Sequence, residues 1–165
     1  MTGERKLSRV ETDWKAVEAE LNRLMGQFAH FESTEVIKYL KTSQEVLRKM
    51  CSEECAEAAY LMQQEALYLQ LLLNELKTKM DWAARQRDRI VAPQMKQYDK
   101  FLGVANIRTM AINQDSAAQE YHKIYCRAES LHSRLNYIPT QLNKMSEMMS
   151  QYQRTKDRQN YVNAT

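Results

Sequence analysis

From Val10 the apolar residues recur at Val10, Trp14, Val17, Leu21, Leu24, Phe28 and Phe31, in alternating steps of 4 and 3. That heptad spacing keeps one stripe facing a partner helix and predicts a coiled-coil-like helix over about 8–31. Ser33 or Thr34, followed by Glu35, supplies a cap and an acidic first turn for a second helix. Its seam runs through Ile37, Leu40, Gln44, Leu47, Cys51, Cys55, Ala58, Met62, Leu69, Leu72, Leu76, Met80 and Ala83, with neither Gly nor Pro before Pro93. The register drifts near Cys51–Cys55, and Ser52-Glu53-Glu54 also reads as a helix start. With no strong breaker present, one helix over about 34–92 is favoured over a kink or hairpin near Ser52.

Beyond Pro93 the pattern predicts shorter helices over about 94–103, 115–138 and 141–153. Gly103, a cap at Asn113 or Asp115, and Pro139 mark their limits. Residues 154–165 read as a loose polar tail. Between Ala56 and Leu76 the apolar residues cannot share one narrow stripe, so this segment needs several neighbours and is the expected centre of a core or an oligomer interface.

Composition supports the helical reading. The chain has 165 residues but only 3 Gly and 2 Pro, against about 11 and about 8 for average usage. Folds with many tight connections need more of both, so doubly wound and barrel enzymes are poor candidates. The expected fold class is all-α: an elongated helical bundle or coiled coil with one long central helix, in one domain over residues 1–153. Ten methionines suit irregular packing. No stretch approaches the ~18 apolar residues of a membrane span, and three cysteines form no secreted-type framework. A soluble intracellular protein, cytoplasmic or nuclear, is expected.

Charge is uneven. Residues 1–76 carry a net −4, residues 77–108 a net +5 and residues 115–165 a net +2. Lys77, Lys79, Arg85, Arg87 and Arg89, extended by Lys96 and Lys100, are the candidate contact for a polyanion. Such a contact would be with phosphates rather than bases, because no base-reading motif is present.

Candidate chemistry is otherwise sparse. Cys51 and Cys55, and likewise His122 and Cys126, stand four apart on a helix face. The four would suit zinc only if the two helices crossed there, and no metal knuckle, phosphate loop or nucleophile elbow accompanies them. No enzyme, metal or cofactor is expected. The function expected is a helical scaffold or adaptor that self-associates through Trp14, Leu21, Phe28, Phe31, Leu69, Leu72 and Leu76 and docks a macromolecular partner. The alternative is a small accessory protein for single-stranded nucleic acid that contacts phosphates through Lys77–Arg89. Association with a membrane surface ranks behind both.

Overall fold

The computed structural model describes residues 2–31, 35–98, 101 and 103–164. Among them all regular structure is α-helical and the helices pack as a multi-helix bundle: α1 (Thr2–Phe31), α2 (Glu35–Lys41), α3 (Gln44–Lys49), α4 (Ser52–Met95), α5 (Val104–Gln114), α6 (Ser116–Leu135) and α7 (Ile138–Ala164).

The helix expected over 34–92 is divided in three, and the divisions are built from capping rather than from Gly or Pro. Thr42 Oγ1 donates to the Lys38 carbonyl (2.7 Å), closing the end of α2. Ser43 then adopts an extended conformation and its carbonyl starts α3. Met50 is extended in turn, with ψ of 148°. At the next start the Cys51 amide donates to Glu54 Oε2 (2.7 Å) while the Glu54 amide donates to Cys51 Sγ (3.4 Å). This is a capping box with a cysteine where Ser or Thr is usual. The backbone bond from Cys51 is the main reason the Glu54 carboxyl is held below the usual carboxylate range.

The later helices also shift from expectation. Pro93 does not start a helix; it sits in the last turn of α4, two residues before Met95. The expected helix over 94–103 is instead the end of α4 followed by a turn, with Asp99, Lys100 and Leu102 outside the described residues. Pro139 opens α7 rather than interrupting a helix, because a first-turn proline gives up an amide that has no helical partner. The region 154–164, expected as a tail, continues that helix.

The chain divides into two compact units. The first comprises Met1–Leu24 and Asn74–Arg134. In it α1 and α6 run in the same direction: Tyr121 Oη donates to Asp13 (2.7 Å), and Arg127 reaches Glu18 (3.3 Å) and Asn22 (3.0 Å). The distal part of α4 runs opposite to α6, with Gln94 donating to Asp115 (3.2 Å) at one end and Trp82 edge-on to Tyr121 further along. Asp115 also caps α6 through the Ala118 amide (3.0 Å). Val91, Ala111, Ile112 and Ala118 form a packed cluster there.

The second unit comprises Met25–Leu73 and Leu135–Thr165. Its buried side chains include Leu47, Cys55, Met62, Leu69, Leu142 and Met149. Ser146, buried on α7, donates to the Ala59 carbonyl (2.8 Å). Lys156 donates to the Arg48 carbonyl (2.8 Å), and Ser52 bonds Asp157. These contacts set α7 antiparallel to the start of α4, and they explain why a polar sequence stays helical to Ala164: its polar groups are spent on the junction of α3 and α4.

Candidate functional site

The apolar segment of α4 supplies both core and surface. Leu69, Leu72 and Leu76, expected at an interface, are buried within the chain, and so is Leu21 on α1. Trp14 is half-buried, and the side chains of Phe28 and Phe31 lie outside the described residues. Each of these leucines is therefore already covered by its own chain.

The opposite face of the same segment is different. Tyr60, Leu67 and Leu71 are 60%, 64% and 63% exposed, and Tyr68 flanks them at 36%. With Gln64 they form a second stripe in steps of 4, 3 and 4 along one helix face. Gln64 Nε2 donates to Tyr60 Oη (2.5 Å), tying two members together. Exposed Glu53 and Glu57 continue the stripe toward the helix start. Scattered surface leucines are ordinary, whereas apolar residues at interface spacing on one face are informative. The sequence shows this segment apolar over more than one narrow stripe, but the residues expected at the interface are those that the chain itself buries. The heptad step through Tyr60, Gln64, Leu67 and Leu71 was the signal for the other.

The basic positions also separate. Lys77, Arg85, Arg89 and Lys96 are exposed, and Lys79 is intermediate. Lys100 lies outside the described residues. Arg87 turns inward and is only 8% exposed. Its guanidinium pairs with Asp88 (2.9 Å), approaches His122 Nδ1 (3.3 Å) and lies over the Tyr125 ring, 5.2 Å from the centroid. Arg87 therefore cannot join its neighbours in a flat phosphate-binding row. The helical step explains the split, since Arg85 and Arg89 share a face and Arg87 is about 200° from each.

His122 and Cys126 remain together, with Cys126 Sγ 3.6 Å from His122 Nε2. Cys51 and Cys55 belong to the second unit, His122 and Cys126 to the first. Cys51 is used in capping, and Cys55 is buried, which pushes its thiol pKa up. Among the described residues no group of three or more His, Cys, Asp or Glu is arranged to hold a metal ion. No helix among them is long and apolar enough to cross a membrane. The family models, the curated proteins and the solved structures compared with this chain give no match.

Proposed function

We propose that this protein is a non-enzymatic helical scaffold whose chains pair through the α4 face bearing Tyr60, Leu67, Tyr68 and Leu71. The observation that carries this reading is the exposed apolar stripe, with interface spacing, on a helix whose other face is fully packed. The occupant is a second copy of the chain, and charge sets its direction. Parallel pairing would oppose Glu53 to Glu53 and Glu57 to Glu57, whereas antiparallel pairing separates them and brings the acidic helix start toward Lys77 of the other copy. In that register Tyr60 faces Leu71 and Gln64 faces Leu67, so the stripe is self-complementary as a two-fold interface requires. The exposed cations Lys77, Arg85 and Arg89 then supply the docking charge for an acidic macromolecular partner.

Full burial of a leucine is worth ~1.5–3 kcal/mol. At nearly two-thirds exposure, Leu67 and Leu71 have ~1–2 kcal/mol each to gain, and four such leucines give a dimer ~4–8 kcal/mol before association costs. Sedimentation velocity over a wide concentration range tests this. The wild type is expected to reach dimer mass, and the double variant Leu67→Glu, Leu71→Glu to remain monomeric with unchanged helicity. A wild type that stays monomeric throughout would overturn the proposal.

A further inference from the structure

The first unit contains a cavity of about 340 Å³ that the scaffold role does not use. It lies among α4, α5 and α6, and its polar lining is Arg87, Arg108, Thr109, Asn113, His122 and Tyr125. Apolar side chains at Ala105 and Ile112 complete the wall. That volume lies at the small end of the range in which proteins bind small molecules.

The charge of the lining is one-sided. Arg87 and Arg108 are cationic, and no carboxylate is among the described lining residues. Asp88 stands to the side and serves both guanidiniums, Arg87 at 2.9 Å and Arg108 at a loose 3.9 Å. One carboxylate thus answers two cations. The Arg87 guanidinium is also fixed in place. It is held by Asp88, stacked over Tyr125 and directed at His122 Nδ1. Arginine has only N–H donors, so this contact leaves the His122 ring proton on Nε2. Asn113 adds an amide at the wall. Thr109 spends its hydroxyl hydrogen on the Ala105 carbonyl (3.0 Å), so it can only accept.

A buried, oriented cation in a small cavity, with a second cation only loosely paired at the rim, is the arrangement that recognises an oxyanion. The geometry points to a binding site for a small phosphate monoester. Its phosphate is held between Arg87 and Arg108, with the Asn113 amide as a third donor. The organic part lies against Ala105, Ile112 and the edge of the His122–Tyr125 pair, whose rings are near-parallel at 6.3 Å. Phosphate is favoured over carboxylate because a monoester carries a charge of about −1.5 to −2 and three acceptor oxygens, enough to answer both guanidiniums, where a carboxylate brings one charge.

The test is calorimetric titration of the full-length protein with inorganic phosphate, adenosine 5′-monophosphate and adenosine, alongside NMR of the His122 ring. Phosphate and the monophosphate are expected to bind saturably, compete with one another and shift the His122 signals, while adenosine does neither. Arg108 is half-exposed, so Arg108→Gln is expected to fold normally and weaken monophosphate binding at least about tenfold. Asn113→Asp, which places a carboxylate in the wall, is expected to abolish binding. The inference is overturned if no saturable binding is seen, if adenosine binds as well as its monophosphate, or if both variants bind like wild type.

Discussion

Replacing Arg87 by Ala separates a packed cation from a solvated one. Several contributions are lost together. The pair with Asp88 is exposed on the carboxylate side, at 42%, and so is worth only ~0–1 kcal/mol. The contact with His122 adds ~1 kcal/mol, and the position over Tyr125 adds ~0.5–2 kcal/mol. The buried side-chain stem contributes ~0.8 kcal/mol for each methylene. These contributions overlap in one cluster and do not add fully, so a net loss of about 3 kcal/mol is expected. Arg87→Met keeps most of the stem and should lose about half as much. Arg85→Ala and Arg89→Ala, on the exposed face, should stay within about 0.5 kcal/mol of wild type. Urea denaturation with constant slope measures all four variants. If Arg87→Ala matched Arg85→Ala, the inward placement of Arg87 and the cavity built on it would both be refuted.

Other expectations follow from the capping and junction contacts. Ser146→Ala removes the buried bond to the Ala59 carbonyl and should cost about 0.5–1.5 kcal/mol by the same denaturation assay. Glu54 has a lowered folded pKa, so its contribution is present above the unfolded value and lost as pH falls through the folded one. The wild type should therefore lose thermal stability on acidification below about pH 4, more steeply than Glu54→Gln, and Cys51→Ser should keep the cap. Truncation after Gln153 removes the contacts of Lys156 and Asp157 with the α3–α4 junction. It should destabilise the protein by about 1–2 kcal/mol and speed amide exchange around residues 48–55, whereas a loose tail would have no such effect.

Much of the fold was legible because helix periodicity is a strong local signal. The stripe of Val17, Leu21 and Leu24 is buried as its spacing implied. The divisions near Thr42 and Met50 were harder to read because they rest on extended backbone at Ser43 and Met50, a Thr42 side-chain bond and a cysteine capping box rather than on Gly or Pro. A cysteine in a capping box leaves little trace beyond the Ser52-Glu53-Glu54 start that follows it. The helical fate of residues 154–164 depends on contacts with residues about a hundred positions earlier, which no local window contains. The separation of Arg87 from Arg85 and Arg89 was available from helical angle. Which face would be inward depended on α6. The α4 interface shows the same limit, since two stripes of similar spacing competed and only packing decided which remained outside.

Spin labels placed in turn at Glu53 and Gln64, in a background lacking the native cysteines, test the pairing of α4 most directly. The antiparallel scaffold predicts Gln64 labels close together, with helix axes about 10 Å apart. It predicts Glu53 labels separated by about 37 Å along the axis, from 1.5 Å per residue. Short distances at both positions would contradict the antiparallel register, and the absence of any intermolecular dipolar coupling would contradict pairing through this face.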